Sequence, residues 1–232
     1  IDIYDLVRIL PQKGLCILNI LFLTCYPDVT FNKMMTAGIK IHPAAQKFNK
    51  LLVKGCCLNN CDVEVAVVYK DFNFDVEQIK QESYASKTIL YHFCEIRGNF
   101  IQKELQKRAF VKKTVSSFAR KTPGGALIID SLSPLALLFS KYAKRYKLKI
   151  VTHITDFRDF LLPVSKSFLG KAKRKLMLNL YYKQFKFTDY FVLLTDYMTN
   201  KIKLNGRKYT VIDGVCDSEA SKNEAENNIG NE

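Results

Sequence analysis

The sequence predicts an α/β domain of the Rossmann-like, three-layer type, in which a mostly parallel sheet is covered by helices on both faces. The first observation is a short apolar run at residues 126–130, directly behind the chain-breaking Pro123-Gly124-Gly125. The second is a helical pattern that opens at Ser133-Pro134 and leads to a β-branched run at residues 148–154. Two strands joined by such a helix must run parallel, so both faces need a helical cover.

The same central unit predicts where a site should lie. Ligands of parallel α/β sheets bind outside the carboxyl ends of the strands. For the two strands of this unit, those ends are Asp130-Ser131 and Thr155-Asp156. We therefore expect a binding site at this edge of the sheet.

Length and composition favour a single domain. A chain of 232 residues with 48% hydrophobic residues can bury a sizeable core, and no linker rich in Pro, Gly or Ser divides it before residue 217. We expect the domain to span residues 1–216. Residues 217–232 hold five acids against Lys222 and few apolar side chains, which predicts an acidic disordered tail or a truncated linker.

The first part of the chain alternates strand and helix patterns. Residues 15–24 are apolar at nearly every position, as in a central parallel strand, and the run is about half the length of a bilayer-spanning helix. The polar segment that follows, up to Lys40, is predicted to be a long loop at the carboxyl edge. A helix is expected from Pro43 to Gly55, with strands at residues 62–69 and 88–93.

The remaining elements follow from the same reasoning. A helix is predicted at residues 100–118, where Ile101, Leu105, Ala109 and Lys112 lie at helical spacing together with Phe110 and Val111. Its outer face carries Lys103, Lys107, Arg108 and Lys113. After the central unit we expect a second site-edge loop at 156–163. The last elements are a helix at 171–187, a strand at 189–195, a short helix at 196–204 and a strand at 209–212.

The cysteines and the charge restrict the setting and the partners. Seven cysteines, an odd number in a chain this large, favour a reducing cytoplasm, and Cys56-Cys57 with Cys61 lacks a second ligand pair for zinc. No metal is therefore expected. The net charge is +14, and residues 100–186 hold 20 Lys and Arg against four acids, a local balance of +16. Such a surface suits lipid head groups, phosphorylated substrates or nucleic acid, but no recognition motif supports nucleic acid.

Motifs for self-contained catalysis are missing. The chain has no G-x-G-x-x-G, P-loop, G-x-S-x-G or H-E-x-x-H pattern. His153 lies inside a strand, which favours a packed core histidine over a ligand. Asp156 and Arg158 place a carboxylate and a guanidinium on one loop, suited to orienting sugar hydroxyls or clamping a phosphate. The alternative is a loop cap with a local ion pair.

Four segments carry a resemblance to a known family: residues 41–52 with Gly55 behind them, residues 151–156, residues 189–198 and residues 211–217. In this order they resemble the N-terminal, acceptor-side domain of a retaining GT-B glycosyltransferase of the family 4 type. The family often has a His-Asp pair after its fifth strand. This chain has Thr155 before Asp156, so no catalytic imidazole is carried over, and Asp156 is the one catalytic candidate.

The resemblance implies the acceptor-binding half of an enzyme of polysaccharide biosynthesis that transfers a hexose from a nucleotide-sugar donor to a saccharide or lipid-linked acceptor. The donor is expected to bind a missing C-terminal domain, so this half should need no cofactor and be inactive alone. The residues expected to bind substrate are Tyr26, Lys40, Gln46, Lys47, Ser131, Thr155, Asp156, Arg158 and Thr195. The alternative is a stand-alone Rossmann-like module that binds an anionic ligand without catalysis.

One helix also suggests a membrane partner. The segment 171–175, KAKRK, opens a helix with many leucines, and Phe168-Leu169 precede it. Basic residues beside exposed apolar ones let a cytoplasmic protein bind the anionic inner face of a membrane peripherally. The alternative is that the same leucines cover the sheet and the charges are a solvated face.

Overall fold

The computed structural model describes residues 18–39, 43–70, 80–130, 133–155, 167–200, 202 and 204–212. Within them, eight strands form one sheet in the order β3-β4-β2-β1-β5-β6-β7-β8. The strands are β1 (Asn19–Leu23), β2 (Asp62–Lys70), β3 (Gln81–Tyr84), β4 (Lys87–Ile96), β5 (Ala126–Asp130), β6 (Lys149–Ile154), β7 (Tyr190–Leu193) and β8 (Lys208–Val211). Neighbouring strands are parallel except β3 with β4, which confirms the predicted mostly parallel sheet.

Helices cover the sheet. In the described part of the chain they are α1 (Asp28–Thr36), α2 (Pro43–Leu58), α3 (Phe100–Lys121), α4 (Pro134–Arg145) and α5 (Phe168–Lys183). Two short 3-10 turns, Gln184–Lys186 and Asp196–Asn200, lie on either side of β7. None of the helices described is both long enough and apolar enough to cross a bilayer.

Both faces of the sheet are buried, because alternate side chains of each strand point to opposite faces. On one face, Ile20, Phe22 and Ile128 pack with Leu52 and Cys56 of α2. The opposite face carries the intervening strand residues, against which α3 and α4 pack: Leu21, Leu23, Leu127 and Ile129 meet Val115, Phe118 and Phe139. The predicted three-layer arrangement is confirmed.

The segment after β1 differs from its prediction as a long loop, because residues 28–36 form helix α1. Pro27, with φ −57°, precedes the helix, and Asp28 lies in its first turn, where a carboxylate is favoured by the helix dipole. Only Thr30 and Met34, one turn apart, are buried. This stripe is too short to give a clear helical period in the sequence.

Two further details were not predicted. Gly55 does not end α2, which continues to Leu58. The left-handed position behind the helix is occupied by Asn60, with φ 61°. The N–H of Cys61 donates to the carbonyl of Cys56. Strand β3 pairs antiparallel with β4 at the sheet edge. Its sequence, QESY, is too polar and short to indicate a strand.

The inner face of α3 was predicted correctly only in part: Val111 is buried and Phe110 packs against the core, as expected. Ile101 and Leu105 are exposed, whereas Val111, Val115 and Phe118 are buried. A helix of 22 residues is about 33 Å long, whereas the five residues of β5 extend about 17 Å. The second half of α3 therefore packs on the sheet and its first turns do not. The other helices and strands lie close to their predicted places, while residues 156–163 and the tail 217–232 are outside the described residues.

Candidate functional site

The strand order places a crevice between β1 and β5. From β1 the chain proceeds outward to β2 and β4, then returns to β5 and proceeds in the other direction to β6, β7 and β8. Helix α2 lies on one face of the sheet and α3 on the other. Connections that leave adjacent strands in opposite directions open a crevice at the carboxyl edge, where ligands of this architecture bind. The described residues that reach this point are Thr24 and Asp130.

Asn49 of α2 joins the ends of the two central strands. Its side-chain amide donates to the carbonyl of Thr24 at 3.0 Å and to Oδ2 of Asp130 at 2.9 Å. Thr24 itself is left-handed, with φ 72°, and its N–H donates to the carbonyl of Ala66. These bonds hold the turn after β1 against the end of β5. Asn49 is buried, and its Oδ1 has no partner among the described residues.

The second contact of Asp130 is His153 on the neighbouring strand. The two residues are register partners of β5 and β6, and His153 Nδ1 lies 3.1 Å from Asp130 Oδ1. Because an ionised carboxylate only accepts, Nδ1 donates in this contact. The imidazole is 1% exposed and stacks on Phe48 with ring centroids 4.8 Å apart, as a packed core histidine should. Its Nε2 is buried without a partner in the described part of the chain.

The chain after Thr24 is held by Gln46. The Gln46 amide donates to the carbonyl of Tyr26 at 2.8 Å and accepts from the Tyr26 N–H at 3.1 Å. This reciprocal pair fixes the path of the backbone at the mouth of the crevice. Burial raises the pKa of the Tyr26 phenol to about 12, so its hydroxyl stays protonated at neutral pH.

The structure therefore brings some of the predicted substrate-binding residues to one edge. Tyr26 and Gln46 adjoin the end of β1, and Lys47 is exposed on the same helix as Gln46. Thr155, half-buried, follows β6, and Thr195, exposed, follows β7. Four predicted residues lie outside the described residues and stay predictions: Lys40, Ser131, Asp156 and Arg158.

The sequence prediction missed the cluster of Asn49, Asp130 and His153. A signal was present in α2, because Asn49 lies in one stripe with Leu52, Val53 and Cys56, all buried. A polar residue in such a core stripe needs a partner at depth. Asp130 was recognised only as the end of a strand, and its two partners are 81 and 23 residues away in the sequence.

A second polar cluster lies beside the crevice, around Lys50. Its buried ammonium pairs with Glu82 of β3 and lies 3.5 Å from Asp28 Oδ2 and 3.3 Å from the Tyr91 hydroxyl. Tyr91 in turn donates to Glu82 at 2.7 Å. Burial opposes ionisation of Glu82, but the hydrogen bonds from Lys50 and Tyr91 lower the pKa of its carboxyl below the ordinary value. The cluster joins α1, α2, β3 and β4.

The thiols near these clusters are poorly suited to nucleophilic chemistry. Burial raises the pKa of Cys25 to about 12 and those of Cys57 and Cys61 to about 11, so all three are neutral at physiological pH. Among the described residues, no group of three or more His, Cys, Asp or Glu is arranged to hold a metal ion.

Comparison with known proteins adds information on the fold. No protein-family model matches the sequence, and the comparison with curated proteins found no match. Among solved structures, Phytolacca americana UGT2 complexed with UDP-2fluoro-glucose and pterostilbene matches with a TM-score of 0.53 and 10% identity, over 89% of this chain and 56% of that one. A ugt transferase from Siraitia grosvenorii in complex with UDP matches with a TM-score of 0.51 and 11% identity, over 90% and 54%.

The chain thus spans a little over half the length of each of these two structures. The similarity is one of fold alone, and it confirms the predicted Rossmann-like fold of the GT-B type. Membership of family 4 stays a prediction.

Proposed function

We propose that this chain is the acceptor-binding half of a cytoplasmic glycosyltransferase, of the retaining family 4 type, that transfers a hexose from a nucleotide-sugar donor to a saccharide or lipid-linked acceptor. The observation that carries this proposal is the cluster of Asn49, Asp130 and His153 at the crevice between β1 and β5. The likeness of the fold to two transferases solved with UDP or a UDP-sugar supports it.

In this proposal Asp130 binds a hydroxyl of the acceptor. A carboxylate has about four lone-pair sites, of which the bonds from Asn49 and His153 occupy two. The side chain keeps 13% of its surface exposed at the carboxyl edge, so the remaining sites can accept from a sugar hydroxyl. Two buried donors fix the carboxylate before the acceptor arrives, and such preorganisation lowers the entropic cost of orienting the reacting hydroxyl.

The other residues have supporting roles. His153 and Asn49 are positioning residues, because each contacts Asp130 and influences the acceptor only through that carboxylate. Gln46 positions the backbone at Tyr26. The protonated hydroxyl of Tyr26 can donate a hydrogen bond to the acceptor substrate. Thr155, Asp156, Arg158 and Thr195 are expected along the same edge. The donor and its phosphates bind a second domain, as the resemblance to GT-B enzymes implies.

The proposal is tested with the full-length protein by measuring nucleotide release from UDP- and GDP-sugars in the presence of saccharide and lipid-linked acceptors. Asp130→Asn keeps the shape of the side chain but removes its charge, and we expect it to lower kcat/KM roughly 100-fold. The matched control is Asp62→Asn, which alters an exposed carboxylate at the amino end of β2 and should leave kcat/KM unchanged. Thermal melting of each variant monitors folding.

Two results would contradict the proposal. One is the absence of acceptor-dependent nucleotide release with every donor and acceptor pair. The other is an Asp130→Asn variant that melts like the unmodified protein and keeps its kcat/KM, since Asp130 would then be a structural cap between β1, β5 and β6.

A further inference from the structure

Six large apolar side chains are exposed on two helices of one layer: Phe100, Ile101 and Leu105 of α3, and Phe168, Leu169 and Leu176 of α5. We call these six residues the apolar rim. Each is at least 61% exposed. In α3 this surface includes Ile101 and Leu105, which were predicted to face inward. In α5, Met177 and Leu178 pack against the core of the sheet, whereas the rim residues are exposed.

The two parts of the apolar rim lie at the same edge of the molecule. In a parallel sheet, a helix that follows a strand starts at the carboxyl edge and returns to the amino edge. Helix α3 begins at Phe100, shortly after β4 ends at Ile96, and α5 begins at Phe168 between β6 and β7. Helix α4 packs against both α3 and α5, so all three form one layer. The rim therefore borders the edge that contains the crevice.

Within each helix, the rim residues share a face. Ile101 and Leu105 are four residues apart on α3, and Leu169 and Leu176 are seven apart on α5, so each pair is stacked along its helix. The α3 stripe continues into Arg108 and Lys112, both exposed. The apolar surface at the edge thus passes directly into a basic surface further along the helix.

The charge around the rim is strongly positive. Residues 100–186 carry a local balance of +16. On α5, Lys171 and Lys175 are exposed beside the rim, and in the part of the chain that the structure describes neither forms an ion pair. Lysine is depleted from the cores of protein–protein interfaces, whereas anionic lipids attract it. Exposed apolar residues beside the exposed Lys171 and Lys175 are therefore complementary to an anionic lipid leaflet.

We propose that the apolar rim and its adjoining lysines bind an anionic membrane surface, with the rim side chains inserted at the boundary between head groups and acyl chains. Amphipathic helices use this arrangement of apolar and basic residues to lie on membranes. The crevice between β1 and β5 then opens close to the lipid surface. The inference does not depend on sugar transfer, since it concerns a surface outside the crevice.

The test is cosedimentation of the unmodified chain with vesicles of phosphatidylcholine alone and of phosphatidylcholine mixed with phosphatidylglycerol, over a salt series. We expect binding to the mixed vesicles that weakens with salt, and much weaker binding to phosphatidylcholine. Lys171→Gln with Lys175→Gln should weaken binding about 30-fold, because each lysine contributes about 1 kcal/mol at an anionic surface. Arg145→Gln with Lys149→Gln removes the same charge from the amino edge and should change binding less than about threefold.

The apolar contribution is tested separately in each helix. Phe168→Ser with Leu169→Ser, and Ile101→Ser with Leu105→Ser, should each weaken binding at least about tenfold without lowering the melting temperature, because these side chains are exposed. The proposal is overturned if the unmodified chain binds neither vesicle or binds both equally. It is also overturned if Arg145→Gln with Lys149→Gln weakens vesicle binding as much as Lys171→Gln with Lys175→Gln does. The same holds if either pair of serine substitutions leaves vesicle binding unchanged. No donor or acceptor is present, so these outcomes are independent of the sugar-transfer test.

Discussion

Two neighbouring residues of α2 make polar contacts, one at the crevice and the other beside it. Asn49 points toward the ends of β1 and β5, and Lys50 points toward the sheet edge formed by β3 and β4. Both are buried, yet their surroundings differ. Asn49 retains an acceptor atom without a described partner, whereas the ammonium of Lys50 contacts two carboxylates and a hydroxyl. We therefore expect Asn49 to belong to the proposed binding site and Lys50 to contribute to the stability of the fold.

Lys50→Met is expected to lower the free energy of unfolding by about 3 kcal/mol, because the variant leaves Glu82 largely buried without its cation. The value lies at the low end for buried pairs, since Glu82 retains some exposure. Lys50→Met combined with Glu82→Leu should recover at least about 1 kcal/mol of this loss. Denaturant unfolding measures each value.

The matched control for this prediction is Lys47→Met, which replaces an exposed lysine on the same helix and should change stability by less than about 0.5 kcal/mol. If Lys50→Met is no more destabilising than this control, the ion pair contributes little. If the double variant is less stable than Lys50→Met, the assumed penalty for an unpaired Glu82 is wrong.

At the scale of elements, helix α3 is joined to the sheet by a polar contact at its end. Glu64 of β2 accepts from His92 of β4 at 2.6 Å and from Lys121, the last residue of α3, at 3.3 Å. The hydrogen bond from His92 lowers the pKa of Glu64 below its ordinary value of 4.5; burial opposes this effect and the charge of Lys121 adds to it. The ionised carboxylate is thus more stable in the folded protein than in the unfolded chain.

This shift gives stability a defined dependence on pH. A folded-state pKa below the unfolded one adds stability above the unfolded pKa, and that contribution is lost as the pH falls through the folded pKa. We expect Glu64→Gln to lower the free energy of unfolding by about 1 to 2 kcal/mol at neutral pH, with the difference disappearing as the pH falls below 4.5.

Denaturant unfolding over a pH series measures this difference. Glu104→Gln, which alters a carboxylate that is more exposed than that of Glu64 and pairs with Lys107 on the same helix, should have a smaller effect at neutral pH. A Glu64→Gln deficit that stays constant into the acid range would show that the contact acts through packing and not through the charge of Glu64.

The elements also show what the sequence could and could not predict. Strands β1, β5 and β6 are buried on both faces, so their continuous apolar runs were recognisable. Helix α1 and strand β3 bury too few side chains to have a pattern of their own. The prediction for α3 was wrong at Ile101 and Leu105 in its first turns, because periodicity indicates an apolar stripe but not what covers it.

The candidate site was predictable in location but not in composition. Residues that follow strand ends, such as Thr155 and Thr195, were identified because parallel strands end at one edge. The contacts of Asp130 with Asn49 and His153 depend on the strand order and on the turn of α2 that faces β5. Neither is encoded in the local pattern of the chain.

At the scale of the whole molecule, the proposed division of labour between two domains predicts how this chain behaves alone. We expect the 232-residue chain to show no binding of UDP, GDP or their sugars by isothermal calorimetry, because the donor phosphates are assigned to a second domain. The full-length protein, under the same conditions, is the control and should bind the donor. Micromolar binding of a sugar nucleotide by the chain alone would overturn its assignment as the acceptor half.

The central position of β1 has a consequence for synthesis on the ribosome. Strand β1 pairs with β2 on one side and with β5 on the other. Its first partner is complete at residue 70, but the second ends only at residue 130. At a synthesis rate of roughly 5 to 20 residues per second, one edge of this apolar strand stays unpaired for roughly 3 to 12 s. During that interval the nascent chain exposes an unpaired strand edge, which favours aggregation.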